Sequence, residues 1–133
     1  MIRSLDTSIL VRLCINDIPE QVDAATALLV SGKTFHVADI AVCETVYVLE
    51  SFYGLARPQV VKTVDMLLAQ PNLIMNRQLF AEVLPHYIAH PKLSFIDCCL
   101  AVYAKLNEAA PLLTFDKKLA NQLQHAELLQ ASA

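Results

Sequence analysis

Four acidic residues stand where solvent alone does not explain a charge. The chain has 13 Asp and Glu among 133 residues. Asp17, Glu20, Asp23, Glu50, Asp65, Glu82 and Glu108 fall on polar helix faces or at helix ends, where water accounts for them. Asp6 instead follows Ile2-Arg3-Ser4-Leu5, and Asp116 follows Leu112-Leu113-Thr114-Phe115. Glu44 is the only charge between residues 40 and 49, and Asp97 the only one between residues 93 and 104. A carboxylate withdrawn from water is normally neutralised, paired or bound to a metal. No Lys or Arg neighbours Glu44 or Asp97 in the sequence to pair with them. Carboxylates gathered in one place repel each other, and a hard divalent cation with oxygen ligands, Mg²⁺ or Mn²⁺, is the simplest resident that relieves the repulsion. Each acid also has an ordinary reading of its own. Asp6 can cap a helix, Asp97 stands at capping-box spacing from Ser94, Glu44 can be a buried hydrogen-bonded acid, and an Asp after a strand, as at 116, is commonplace.

The elements that must position these acids alternate in type along the chain. Residues 2–5 read as a strand ending at Asp6, followed by a helix with Ile9, Leu10, Leu13 and Cys14 at helical spacing. Pro19 opens a second helix that Gly32 ends, and residues 34–37 read as a second strand. Asp39 is the expected cap of a helix over residues 40–53. Gly54 and Pro58 separate it from one carrying Val60, Val61, Val64, Leu67 and Leu68. Leu73-Ile74-Met75 is the third strand, and the helix after it, from about Arg77, is expected to kink or stop at Pro85, with further turns reaching His90. Ser94 begins the helix that holds Asp97, residues 111–114 form the fourth strand, Asp116 starts the last helix, and residues 127–129 form a fifth, edge strand. Apolar strands joined by helical crossovers predict α/β architecture, a parallel sheet with helices on both faces. In such a sheet, acids that follow strands or open the next helices gather outside the carboxyl ends of the strands, where ligands bind. No repeat or linker interrupts the chain, so one domain over residues 1–133 is expected.

Composition narrows the function classes. With 56% hydrophobic and 17% charged residues the chain can build a substantial core, and part of its apolar excess is expected to meet a partner or second subunit. A net charge of −3 argues against broad nucleic-acid coating, leaves room for a local grip on a short RNA, and suits a basic partner segment. No apolar run approaches the ~20 residues of a membrane span, and the start lacks a signal-peptide core, so a cytoplasmic protein with no membrane partner is expected. Cys14, Cys43, Cys98 and Cys99 lack zinc-site spacing and read as reduced small hydrophobes, with a redox role for the adjacent pair as the alternative. Glu82, His86 and His90 stand four apart, but Pro85 falls among them and helix surface is the better reading.

At its four acids the chain resembles the PIN-domain ribonucleases, and within them the VapC-type toxins of VapBC toxin–antitoxin pairs. The stretches that carry the resemblance are Leu5-Asp6-Thr7-Ser8-Ile9-Leu10, Val42-Cys43-Glu44-Thr45-Val46-Tyr47-Val48-Leu49, Phe95-Ile96-Asp97-Cys98-Cys99-Leu100-Ala101 and Leu113-Thr114-Phe115-Asp116-Lys117-Lys118-Leu119. Each is weak alone; in this order, across nearly the whole chain, they are specific. Cys98-Cys99 departs from the small apolar residues more usual after the third acid. The resemblance implies a three-layer α/β/α sandwich with a five-stranded parallel sheet, and Mg²⁺- or Mn²⁺-dependent endonucleolytic cleavage of RNA. It implies that Asp6, Glu44, Asp97 and Asp116 are the metal-binding catalytic quartet, with Ser8 or Thr7 and Thr114 as supporting hydroxyls. An antitoxin partner and a homodimer or larger oligomer follow from the same likeness. Lys117, Lys118, Arg12 and Arg57 are candidates for RNA phosphate contact. A receiver-type phosphoacceptor wants an acidic pair after the first strand and a haloacid-dehalogenase-type phosphatase wants Asp-x-Asp; Thr7 and Ser8 supply neither. A non-catalytic or housekeeping PIN-fold protein that binds or processes RNA is the remaining alternative.

Overall fold

Helix starts in this chain are set by residues that satisfy, or do not need, the unpaired amides of a first turn. A computed structural model describes residues 1–131. Helix α1 (Thr7–Cys14) is capped by Asp6, whose carboxylate accepts from the Ile9 amide at 3.3 Å. Helix α2 (Pro19–Leu29) begins on Pro19, which has no amide to satisfy. Helix α4 (Arg57–Leu68) has Pro58 in its first turn, and the Gln59 side chain accepts from the Ala56 amide at 3.0 Å. Helix α6 (Phe95–Leu106) is capped by Ser94, and α7 (Lys117–Gln122) by Asp116.

Two expectations are corrected. Helix α3 (Asp39–Ser51) is capped by the backbone of Ala38, with no side-chain bond, and Asp39 lies inside the first turn. There its carboxylate accepts from Asn76 Nδ2 at 3.2 Å, so it is engaged elsewhere. Helix α5 (Arg77–Ala89) does not stop at Pro85, and the further turns expected beyond it form as far as Ala89. Pro85 and Ala81, whose carbonyl loses its amide partner, both lie on the exposed side, where water can replace the bond.

All five expected strands form, each only two or three residues long: β1 (Arg3–Ser4), β2 (Phe35–His36), β3 (Leu73–Ile74), β4 (Leu112–Thr114) and β5 (Ala126–Leu128). Pairing is parallel throughout, as the crossover helices require. Among the described residues the hydrogen-bonded ladders are a three-stranded sheet in the order β1-β2-β3 and a two-stranded sheet, β4-β5, rather than one ladder of five. The strands are also less apolar than expected: both residues of β1 are exposed, and Arg3 covers the Phe35 ring at 5.7 Å.

The ladders belong to two compact units, Met1–Asn76 and the residues from Arg77 onward. In the first, α1 packs against α2 and α3, and α3 against α4. Its core holds Leu10, Phe35, Val42, Val46, Leu49, Val60, Val64, Leu67 and Leu73. Helix α3 ends where Gly54 turns the backbone to φ +65° and the Leu55 amide donates to the Leu49 carbonyl at 3.0 Å. In the second unit α5 packs on α6, and α7 on β4 and β5. Its centre is aromatic, with Phe80 stacked on Phe95 at 6.1 Å and Tyr87 edge-on to Phe95 at 5.4 Å. All four cysteines are free thiols; Cys98 and Cys99 are buried, and burial pushes the Cys14 thiol up to about 12.

Phe80 is 0% exposed, so Phe80→Ala leaves a cavity and lowers unfolding free energy by about 3–5 kcal/mol. Ile88→Ala, at a 43% exposed site, stays within about 0.5 kcal/mol. Urea unfolding followed by circular dichroism compares the two.

Candidate active site

Each candidate acid lies where a strand hands over to a helix or within the opening turns of that helix. Asp6 separates β1 from α1, Glu44 is in the second turn of α3, Asp97 is in the first turn of α6, and Asp116 separates β4 from α7. The expectation that these carboxylates are buried is corrected: Asp6 and Glu44 are exposed, and Asp97 and Asp116 are half-buried. At helix starts a carboxylate can reach water while its backbone stays in the fold, so a charge amid apolar neighbours does not imply a buried one. The buried polar side chain of the region is the adjacent Thr45, whose hydroxyl donates to the Ala41 carbonyl at 2.7 Å.

In the first unit two hydroxyls fasten two acids. Ser8 Oγ donates to Asp6 Oδ1 at 2.6 Å, and the Ile9 amide donates to the same oxygen. Thr7 Oγ1 donates to Glu44 Oε1 at 3.0 Å, tying α3 to the start of α1. The Ser8 hydroxyl, then the Ile9 amide, hold the Asp6 carboxyl below its ordinary pKa, against a smaller opposing effect of desolvation. Asp6 Oδ2 and Glu44 Oε2 accept no hydrogen bond among the described residues.

In the second unit the Asp116 amide donates to Thr114 Oγ1 at 2.9 Å, and Asp116 Oδ1 accepts from the amides of Lys118 and Leu119 at 2.9 and 3.4 Å. Thr114 thus acts on the backbone of Asp116, whereas Thr7 and Ser8 act on carboxylates. Asp97 donates its amide to Ser94 Oγ at 3.0 Å. Half the expected capping box is therefore present, and the Asp97 carboxylate is left over. Lys117 and Lys118 are exposed at the first two positions of α7.

Arg12 is occupied within its own unit. Its guanidinium lies 3.3 Å from Asp17 Oδ1, and it donates to Gln21 Oε1 at 2.7 Å and to the Tyr53 hydroxyl at 3.2 Å, while that hydroxyl donates to Asp17 Oδ2 at 2.5 Å. Asp17 is accordingly exposed, as expected, and paired as well. Glu82 likewise takes Lys105 Nζ on Oε1 at 2.8 Å. The His86 and His90 rings lie 6.2 Å apart on α5, and His90 Nδ1 is 3.1 Å from Gln122 Oε1. Among the described residues no group of three or more His, Cys, Asp or Glu is gathered as a metal site, there or around the acids. Sequence reasoning missed Tyr53, Asp17 and Gln21 as partners of Arg12, because Tyr53 is 41 positions away and no local spacing signals the contact.

The chain belongs to the PIN domain family, whose profile matches residues 4–122 and so spans all four acids. Domains of this family are generally nucleases that use divalent metal ions. No curated protein matches the chain. The donor chemistry fits such an ion: all four candidates offer carboxylate oxygens, and in Asp6, Glu44 and Asp116 one oxygen is held by a hydrogen bond while the other accepts nothing among the described residues.

The depressed pKa of Asp6 means that its ionised form is favoured by the fold. The stability it contributes is present above the unfolded pKa and is lost as pH falls through the folded value. Ser8→Ala removes the largest cause, so carboxyl-carbon NMR finds the Asp6 titration shifted upward toward that of an ordinary aspartate. An unmoved midpoint would mean that the hydroxyl does not set it.

Proposed function

We propose that this protein is a divalent-metal-dependent endoribonuclease, the toxin member of a VapBC-type toxin–antitoxin pair. The observation that carries the reading is that the family match encloses four acids at strand-to-helix junctions, three of them fixed through one oxygen with the other left open. The reading takes the family's three-layer α/β/α sandwich with one five-stranded sheet as its frame.

In this reading Asp6 and Asp97 are the central ligands, and Asp116 and Glu44 complete the site. A bound Mg²⁺ or Mn²⁺ supplies an activated water and charge relief on the leaving oxygen of the phosphodiester. The chain's own residues do the positioning. Ser8 lowers the pKa of Asp6 and orients its carboxylate, Thr7 ties Glu44 to the start of α1, and Thr114 with the α7 amides sets Asp116. Lys117 and Lys118 are placed to meet RNA phosphates beside Asp116. Arg12, held by Asp17, is less suited to that task than its charge suggested.

A basic antitoxin segment and a homodimer are the proposed protein partners. Their support is the apolar surface on the two acid-bearing helices: Ile40 and Tyr47 on α3 are 74% and 69% exposed, and Ile96 and Leu100 on α6 are 47% and 49% exposed. No helix among the described residues is long and apolar enough to cross a membrane, and action on RNA in the cytoplasm is part of the proposal.

Asp97→Asn abolishes Mg²⁺-dependent cleavage of single-stranded RNA while circular dichroism stays unchanged; a variant with full activity removes Asp97 from the mechanism. Independently of turnover, Mn²⁺ broadens the NMR signals of Asp6, Glu44, Asp97 and Asp116 together. Broadening confined to one pair would remove the other two acids from the proposed ligand set.

A further inference from the structure

Beside the two hydroxyls that fasten Asp6 and Glu44, the first unit opens a cleft of about 410 Å³ lined among others by Thr7, Ser8, Arg12, Val48, Phe52 and Tyr53. From its lining we infer that this cleft is a base-binding subsite, which takes one unstacked nucleobase of a single-stranded RNA next to the acids. The inference rests on the nuclease reading for its ligand, but its geometry is independent of it.

Three observations select a base. The first is the aromatic wall. Phe35, Phe80 and Phe95 are buried and Phe115, 70% exposed, does not line this cleft, whereas Phe52, which lines it, is 76% exposed. It stands edge-to-face with Tyr53 at a centroid distance of 4.9 Å and an interplanar angle of 74°. An exposed ring braced by a second aromatic is the surface on which proteins stack splayed-out RNA bases.

The second observation is charge. Arg12 enters the lining already paired with Asp17, so that pair adds no net positive charge to attract a phosphate. A neutral, planar, largely apolar ligand fits such a wall better than an anion does.

The third is the hydrogen-bonding character of the inner end. Ser8 and Thr7 both give their hydroxyl protons to carboxylates, so their oxygens retain only acceptor capacity. A base edge with an exocyclic amino or ring N–H group complements them. Because these same residues hold Asp6 and Glu44, a base seated here brings its own backbone phosphate toward the acids. The cleft would therefore select which phosphodiester is presented.

The test uses the full chain carrying Asp97→Asn, to suppress cleavage, and a short single-stranded RNA with 2-aminopurine placed at each position in turn. Fluorescence is quenched at one position, and Phe52→Ala removes that quenching and weakens binding about tenfold. Phe52→Leu, which keeps the apolar contact without the ring, recovers only part of the loss. An abasic nucleotide at the quenched position weakens binding of the parent chain and makes Phe52→Ala without further effect. Unchanged affinity and quenching in Phe52→Ala overturns the inference. So does full rescue by leucine, or a change in sedimentation that shows Phe52 seated in a second copy of the chain. Cleavage by the wild-type chain in Mg²⁺ separates the two readings. If it cleaves and Phe52→Ala leaves KM unchanged, the subsite falls alone. If it never cleaves yet Phe52-dependent quenching persists, the nuclease reading falls alone.

Discussion

A carboxylate that must keep one orientation needs a donor for one of its oxygens, and here that donor comes from the same turn for Asp6 and Asp116 and from α1 for Glu44. In the first unit Ser8 serves Asp6, and Thr7, its neighbour in the same turn, serves Glu44 from across the helix pair. In the second, the first amides of α7 serve Asp116. One turn of helix therefore does two jobs. It satisfies its own unpaired amides through the acid, and it leaves the second carboxylate oxygen facing outward. Half of the candidate site follows from this economy of placement: Asp6 and Asp116 sit at helix starts because there the backbone needs an acceptor and solvent is within reach.

Local chemistry was legible in the sequence, and long-range pairing was not. Asp6, Ser94 and Asp116 were readable as helix starts because capping is decided within three residues. Pro19 and Pro58 marked starts for the same reason. Asp39 looked like a cap by type, but Asn76, 37 positions away, engages its side chain and Ala38 takes the capping position. Pro85 looked like a break because its side of the helix could not be foreseen; on the exposed side the lost bond is tolerable. The acids were found because uncharged surroundings make a charge conspicuous. Their burial was misjudged because apolar neighbours in sequence need not be neighbours in space.

The apolar excess of the chain is not spent on a larger core. Helix α3 buries Val42, Val46 and Leu49 on one side and carries Ile40 and Tyr47 on the other, and α6 buries Cys98, Cys99 and Val102 while carrying Ile96 and Leu100 outward. A helix apolar around most of its circumference does not have the stripe expected of a surface helix. Each of these helices also carries a candidate acid, so in each unit exposed apolar side chains share a helix with a carboxylate. Such a surface suits ligands that are part charged and part aromatic.

The knot of Arg12, Asp17, Gln21 and Tyr53 ties the last turn of α1, the loop after it, the second helix and the end of α3 to a single guanidinium. Its consequence is evolutionary. Positions 12, 17 and 53 are coupled, since each contacts the other two and changing one alters the partners of both. Descendants of this sequence should change these sites in concert or keep all of them, and the contour of the neighbouring groove would be inherited as a block.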